Sequence, residues 1–266
     1  MSVPLQNATA SRWFRTVRQR VRSERAQRAE QRQRNYQTEK AFRMAGSLGA
    51  MTPELVAYAT TVRRVIERLR PLDPQARVLE VGSGSHGLIF FLGFPDAVGI
   101  DPLADIYPSL FPEWQQRAKT IRGYGETLPF DNASFDLVLS DNVIDHAERP
   151  DGILAEIARV LRPGGTLYFT VHVHHPIYAA ASGLYAAWRA AGVRCEIAPF
   201  ADHTVHFTLR RIRTHIHALP LRVLSEQTGI IDAKQGARHT PPRHMGDWLK
   251  RLFFKNARFE IVAERL

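Results

Sequence analysis

The chain has 266 residues, of which 44% are apolar, so it can bury a core of the size that a single large domain needs. Its one cysteine, Cys195, excludes an intramolecular disulfide and a cysteine metal site. The longest nearly uncharged run, 176–188, is shorter than the roughly 20 residues that cross a bilayer, and no secretory signal is apparent. These features predict a cytoplasmic location.

The net charge of +10 is concentrated in residues 1–50, which hold 11 basic and 3 acidic residues. Residues 11–45 contain no glycine or proline, and Trp13, Val17 and Val21 recur at a spacing of four, which predicts a cationic helix with a short apolar stripe. Such a helix suits the anionic inner face of a membrane. An RNA contact, an organelle presequence and a solvated extension that folds back on the domain remain open alternatives.

A linker over 46–51 and a new helix are expected after this basic helical extension. Thr52 has the position of a helix cap, Pro53 that of the first helical residue, and apolar residues continue on one face until Pro71. The sequence therefore predicts an extension over 1–50 and a second domain over 51–266.

Within the second domain, further elements are expected beyond the first two strands. Apolar runs predict strands over 119–122, 134–140, 166–173 and 221–226. Thr208 has the position of a helix cap.

The most informative stretch is an apolar strand, 77–81, that runs into a glycine-rich turn and then a short apolar helix. Asp101 ends the next strand, nineteen residues after Gly82, where a carboxylate can accept hydrogen bonds from a ribose diol. The spacing also fits a dinucleotide loop, but Glu80, two residues before the first glycine, would repel a pyrophosphate. A cofactor with an amino group and no phosphate, such as S-adenosylmethionine, fits better, and a nicotinamide enzyme is the alternative.

Four more motifs follow this loop in order. The five together are Leu79–Gly84, Gly99–Pro102, Gly125–Phe130, Ser134–Ser140 and Ile157–Gly165. In this order and spacing the chain resembles the class I S-adenosylmethionine-dependent methyltransferases, and particularly the bacterial group similar to the ubiquinone and menaquinone methyltransferases. The resemblance covers about residues 75–175.

The resemblance implies a Rossmann-like α/β fold, with a doubly wound sheet of seven strands, mostly parallel with the last strand antiparallel. It also implies S-adenosylmethionine as cofactor. The cofactor-binding residues that it indicates are Glu80, Gly82, Ser83, Gly84, Asp101, Pro102, Gly125, Glu126, Asp141 and Asn142. Tyr124 stands where the family often has an acid, so the adenine contact passes either to Glu126 or to a Tyr124 that stacks on the ring.

An insert over about 174–207 interrupts the family pattern, and the resemblance implies that it forms a lid over the substrate. Seven of the eleven histidines fall between 172 and 217. Our candidates for a general base are His146, His175 and His203, because a neutral imidazole can take a proton from a hydroxyl. The alternatives are histidines that join the lid to the sheet, and a divalent metal held with Asp202; we predict no metal site.

The predicted function is transfer of a methyl group to a small-molecule or lipid-linked acceptor, by O-methylation of a sugar or a phenol. The histidines and aromatic residues of the insert suit such a polar ring, and the cationic helix suits a lipid-linked version. The alternatives are an RNA methyltransferase and a non-catalytic cofactor-binding protein; nucleic acid is not the expected partner. The sequence does not indicate an oligomeric state.

Overall fold

The computed structural model describes residues 24–44, 46–147, 149–190, 205–239, 254 and 256–266. Nine α-helices lie in these ranges: α1 (Glu24–Met44), α2 (Leu48–Glu67), α3 (Ile89–Leu92), α4 (Tyr107–Leu110), α5 (Pro112–Gln115), α6 (Pro150–Val160), α7 (Pro176–Ala190), α8 (Leu209–His217) and α9 (Ile230–His239). A 3-10 helix spans Ile144–His146. Among the helices of this described part, none is long and apolar enough to cross a membrane.

Seven strands form one sheet: β1 (Val78–Val81), β2 (Ala97–Asp101), β3 (Lys119–Arg122), β4 (Phe135–Asp141), β5 (Leu161–Val173), β6 (Leu221–Thr228) and β7 (Ala257–Arg265). Their order across the sheet is β3-β2-β1-β4-β5-β7-β6. The first five strands pair in parallel, and β7 lies antiparallel between β5 and β6. The predicted seven-stranded, mostly parallel sheet with a reversed last strand is confirmed.

The central strands are buried because helices cover both faces of the sheet. All four residues of β1 are buried, as expected for a parallel strand written as a continuous apolar run. One face packs against α6 and α8, whose apolar sides include Ile157 and Ile212. The other face packs against α2 and α3 through residues such as Val62 and Phe90. The carboxyl ends of β1 to β5 therefore meet at one edge, where open α/β sheets place their ligands.

The predicted start of the second helix at Thr52 is wrong, because α2 begins at Leu48 and takes in most of the expected linker. Leu48 is buried in a cluster with Trp114 and Ala41, which stabilises this earlier start. The Thr52 hydroxyl does not cap the helix; it donates to the carbonyl of Leu48 and accepts from the indole of Trp114. The described part of the basic extension, α1, thus packs on the domain.

The other predicted elements differ from the structure mainly in length. β5 begins at Leu161 instead of Thr166, and β6 continues to Thr228 instead of ending at Glu226. The predicted cap at Thr208 is present, with its side chain accepting from the backbone N–H of Arg211 at 3.2 Å. Of the insert, residues 174–190 and 205–207 are described, and 191–204 lie outside the described residues.

Candidate active site

The loop after β1 turns at two glycines with positive φ, Gly82 at 77° and Gly84 at 55°. A Cβ at Gly82 would lie 2.5 Å from the methyl groups of Val143, so this glycine allows the segment after β4 to pack on the loop. A Cβ at Gly84 would meet nothing within 4 Å. Gly84 therefore borders open space at the carboxyl edge of the sheet.

Glu80 is buried beneath this loop and holds the helix that follows. Its two carboxylate oxygens accept from the backbone N–H groups of Leu88 and Ile89, each at 3.0 Å. Burial raises the pKa of Glu80 to about 8, against the opposing effect of these two hydrogen bonds. The carboxylate is directed at α3, so the structure places Glu80 under the predicted cofactor site, where it positions the loop.

Asp101 is the carboxylate that lies at the mouth of the loop. Its Oδ2 accepts from the N–H of Gly84 at 3.1 Å, and its Oδ1 accepts from the N–H of Leu103 at 2.8 Å. Tyr107 also forms a hydrogen bond with this carboxyl group. Burial raises the pKa of Asp101 to about 6, and the negative charge of Glu30 on α1 adds to the increase. Asp101 thus fixes Gly84 and lies where the sequence predicted a ribose contact.

Ser83 and Pro102 flank these residues, with different orientations. The Ser83 side chain is buried against β2, since a Cβ at Gly99 would lie 2.5 Å from its Oγ. Only the backbone of Ser83 therefore borders the loop surface. Pro102 follows Asp101 directly and is partly exposed.

The turn after β3 contains the residues predicted to contact adenine. Gly125 packs tightly, because a Cβ there would lie 2.9 Å from a methyl carbon of Val81. The Tyr124 hydroxyl donates to Glu30 of α1 at 3.0 Å, and the carboxylate of Glu126 accepts from the N–H of Arg149 at 3.4 Å. Tyr124 and Glu126, the two candidates for the adenine contact, thus follow β3 at the carboxyl edge of the sheet. Helix α1 holds Tyr124 through Glu30, a contact that the sequence did not predict.

Asp141 ends β4 beside the loop, and described side chains occupy both of its oxygens. Thr170 donates to Oδ1 at 2.5 Å, and Tyr58 of α2 donates to Oδ2 at 2.8 Å. Arg258 of β7 in turn donates to the hydroxyls of Tyr58 at 2.7 Å and Tyr168 at 2.5 Å. Asp141 therefore lies at the carboxyl edge of the sheet, at one end of a partly buried hydrogen-bond network that joins α2 to the sheet.

Asn142 follows with a left-handed backbone, φ 57°, and its N–H donates to Thr170. Its amide oxygen Oδ1 is buried and has no hydrogen-bond partner among the described residues. A buried polar atom without a partner is costly in a folded protein, so it indicates a ligand that completes it. Asp141 and Asn142 were both predicted to bind the cofactor. Only the side-chain oxygen of Asn142 has no hydrogen-bond partner among the described residues.

His146 lies three residues beyond Val143, which contacts Gly82, and its side chain is half exposed. Its Nε2 is 3.8 Å from Oδ1 of Asp145, which is fully buried. Burial raises the pKa of Asp145, while the neighbouring His146 and His172 act to lower it. Burial lowers the pKa of His172. The structure thus groups His146, Asp145 and His172 at the carboxyl ends of β4 and β5.

His175, the second predicted base, is not in this group. Nδ1 of His175 accepts from the N–H of Ile177 at 3.3 Å, and its ring contacts Phe254 edge to face. This contact uses the nitrogen lone pair that a base needs, so His175 is better assigned to the start of α7. His203 lies outside the described residues.

The junction between α7 and the sheet is also rich in histidine. The rings of His174 and Tyr178 stack at 5.2 Å, and that of His206 lies 4.9 Å from His174. His206 Nδ1 lies 2.7 Å from the hydroxyl of Ser182. Within the described ranges, no three or more His, Cys, Asp or Glu residues have the arrangement of a metal site.

Several residues of the site were not predicted as such. Tyr58, Thr170 and Arg258 are far apart in the chain, and only the packing of α2 and the pairing of β5 with β7 brings them to Asp141. Tyr58 had one sequence signal, its place on the apolar face of a helix. Asp145 had none beyond its position between two candidates.

Comparison with known proteins agrees with this geometry. Residues 79–169 match a family model described as a methyltransferase domain. The chain carries a class I S-adenosylmethionine-dependent methyltransferase domain. S-Adenosylmethionine is accordingly its cofactor, and the finer resemblance to the ubiquinone and menaquinone group stays a prediction.

Two curated proteins are similar to this chain in sequence. The biotin biosynthesis bifunctional protein BioHC of Cellvibrio japonicus is 27% identical over 204 residues, covering 66% of this chain and 40% of that protein. The malonyl-[acyl-carrier protein] O-methyltransferase of Methylococcus capsulatus is 31% identical over 137 residues, covering 48% of this chain and 47% of that protein.

A solved structure, the geranyl diphosphate C-methyltransferase of Streptomyces coelicolor A3(2), shares the fold with a TM-score of 0.54 and 14% identity, covering 78% of this chain and 77% of that chain. The chain spans 40% and 47% of the lengths of the two curated relatives above. Their activities therefore do not transfer directly.

The residues at the carboxyl edge fit the cofactor. Gly84 leaves room for close approach, Asp101 offers carboxylate oxygens beside it, and Asn142 has a buried amide oxygen without a described partner. Together they provide acceptors for hydroxyl and amino groups and place no phosphate-binding lysine or arginine on the loop.

Proposed function

We propose that the protein transfers a methyl group from S-adenosylmethionine to a hydroxyl of a small-molecule or lipid-linked acceptor, with a sugar or a phenol as the preferred class. The observation that supports this proposal is the packing of Val143, which leads directly into the 3-10 helix of His146, against Gly82 of the cofactor loop. We infer from this packing that the imidazole of His146, which can take a proton, lies near the residues that fit the cofactor.

The sulfonium of S-adenosylmethionine supplies an electrophilic methyl group, so the protein needs to align an acceptor, exclude water and remove a proton. His146 is half exposed and can take that proton on its imidazole, since a neutral imidazole is a base near neutral pH. Asp145 lies behind it, and its negative charge would stabilise the imidazolium that forms.

The similar proteins include an O-methyltransferase and a C-methyltransferase, so the choice of a hydroxyl as acceptor rests on the side chains of this chain. The imidazoles of His146 and His172 favour an acceptor that loses a proton, which a hydroxyl does. Tyr178, which is partly exposed and stacks on the buried ring of His174, adds an aromatic side chain suited to a ring. We further propose that 1–50 is an extension packed on a catalytic domain over 51–266, with α2 continuous across the boundary. We also propose that this basic extension brings the protein to the inner face of a membrane.

Cofactor binding is tested by calorimetric titration of the purified chain with S-adenosylmethionine and S-adenosylhomocysteine. The matched variants are Asp101→Asn and Asp96→Asn, because Asp96 is exposed and lies before the opposite end of the same strand. We expect micromolar binding by the wild type, at least tenfold weaker binding by Asp101→Asn, and no change for Asp96→Asn. Absence of wild-type binding in a folded sample would refute the proposed function.

Catalysis is tested with a labelled methyl donor and a panel of sugars, phenols, lipid-linked sugars, carboxylates and RNA. Incorporation into a hydroxyl compound, with kcat reduced about 100-fold or more in His146→Ala and cofactor affinity unchanged, would support the proposed base. Methylation of carbon, nitrogen or RNA instead would refute the proposed acceptor class while retaining the methyltransferase.

A further inference from the structure

Helix α1 crosses the edge of the sheet that carries the cofactor residues. Near its N-terminal end, Glu30 accepts from the Tyr124 hydroxyl at 3.0 Å and from Arg122 at 3.2 Å, which places it over the end of β3. One turn later, Arg34 donates to Asp105, beyond the end of β2, at 3.1 Å.

The C-terminal half of α1 reaches the loop after β1. Ala41 is buried in a cluster with Leu103 and Trp114. Lys40 is close enough to His86, in the glycine loop, for its charge to contribute to the lowered pKa of that imidazole, after burial. From its N-terminal to its C-terminal end, α1 therefore passes β3, β2 and the β1 loop in turn.

Gln37 lies between these two sets of contacts, on the same helical face. Residues 30, 34, 37 and 41 follow a three- and four-residue spacing, so all four face the domain. Gln37 is only 7% exposed, and its amide oxygen Oε1 has no hydrogen-bond partner in the described part of the chain. Burying such an oxygen without a partner is unfavourable, which indicates that a ligand completes it.

The position of Gln37 determines which ligand group it meets. Arg34 on its N-terminal side is joined to Asp105, four residues after Asp101, and Lys40 on its other side is near His86, two residues after Gly84. On both sides of Gln37, α1 therefore contacts the segments that follow Asp101 and Gly84, the pair at which the sequence predicts the ribose.

We propose that Gln37 is a cofactor-binding residue and that its amide oxygen accepts a hydrogen bond from the ribose. Helix α1 is then a wall of the cofactor site, supplied by the part of the chain that the sequence assigned to an extension. This inference rests on the cofactor part of the proposed function, and it is independent of the acceptor.

The test compares Gln37→Ala with Gln33→Ala, a variant of the same residue type one turn earlier, where the side chain is exposed. Both are titrated with S-adenosylhomocysteine and with adenosine, which carries the ribose without the amino-acid part. We expect Gln37→Ala to weaken both ligands by about 3- to 10-fold, and Gln33→Ala to change neither by more than about twofold.

Thermal unfolding without ligand separates a binding role from a structural one. Because Gln37→Ala removes a buried oxygen that lacks a partner, the Tm of the free protein should be unchanged or higher, while the Tm increase on adding S-adenosylhomocysteine should be smaller than for the wild type. A lower Tm with unchanged affinity would overturn the inference and assign Gln37 to packing.

Titration with both S-adenosylhomocysteine and adenosine distinguishes the remaining outcomes. Wild-type binding with unaltered affinity in Gln37→Ala would overturn this inference and leave the proposed function intact. A loss seen with S-adenosylhomocysteine but not with adenosine would overturn the ribose assignment. Failure of the wild type to bind either ligand would overturn both proposals.

Discussion

Asp101 is a buried carboxylate beside Gly84, which borders open space, at the position where the sequence predicts a ribose contact. Only its ionised form offers two full acceptors, and it already uses them to hold the N–H groups of Gly84 and Leu103. Burial raises its pKa to about 6, and Glu30 on the neighbouring helix raises it further than burial alone. Protonation of a single residue near the physiological range is therefore coupled to the geometry of the loop.

This coupling predicts that cofactor affinity falls as the pH falls through about 6, because protonation removes an acceptor and a negative charge. Relative to pH 8, we expect S-adenosylhomocysteine to bind about twofold more weakly at pH 6 and about tenfold more weakly at pH 5. Calorimetric titrations across this range measure the profile.

Two variants assign the titrating group. Asp101→Asn should bind weakly with a flat profile, and Glu30→Gln should move the midpoint to lower pH, since it removes the neighbouring charge that disfavours ionisation of Asp101. A wild-type affinity that is constant between pH 5 and pH 8 would contradict the assignment.

At the scale of elements, the sequence predicted most strands because apolar runs and turn residues specify them locally. β3 has the predicted bounds, and β4 differs by one residue at each end. The start of α2 could not be predicted in this way, since the buried contact of Leu48 with Trp114 joins residues 66 positions apart. Tertiary packing of this kind determines where α2 begins, although Thr52 is a residue type that often caps helices.

The connection between β1 and α3 depends on Gly87, which has no side chain, and this gives the prediction at the scale of elements. A Cβ at Gly87 would lie 2.5 Å from the carbonyl oxygen of Ser83 and would overlap the Glu80 carboxylate. Gly87→Ala should therefore lower the free energy of unfolding by about 1–3 kcal/mol, as overpacking does. Urea denaturation followed by circular dichroism measures the change.

Gly49→Ala is the control, because Gly49 lies in α2 and a Cβ there meets nothing within 4 Å. Removing glycine from a helix at an open position should raise the free energy of unfolding by about 0.5–1 kcal/mol. Equal changes in the two variants would show that the loop can accommodate a side chain at 87.

Across the whole molecule, the candidate site joins segments from nearly the full length of the described chain. The resemblance assigned the residues that follow β1, β2, β3 and β4, which motifs mark in the sequence. It could not assign Glu30, Gln37, Tyr58 or Arg258, because no motif links a helix at one end of the chain to a strand at the other. The roles of Glu30, Tyr58 and Arg258 follow from hydrogen bonds across up to 200 residues, such as the one between Arg258 and Tyr58. That of Gln37 is inferred from a buried oxygen without a described partner.

Tyr58 is the residue that closes this long-range network, so it carries our last prediction. Its hydroxyl donates to Asp141 and accepts from Arg258, both partly buried. Tyr58→Phe would leave each partner with one hydrogen bond fewer, which should lower the free energy of unfolding by about 1–3 kcal/mol. Tyr36→Phe on α1 is the control: Tyr36 is 51% exposed, and we expect a change below about 0.5 kcal/mol. The measurement is a urea denaturation curve for each variant. If the two variants have equal midpoints, Asp141 and Arg258 find solvent partners in Tyr58→Phe, and apolar packing alone holds α2 to the sheet.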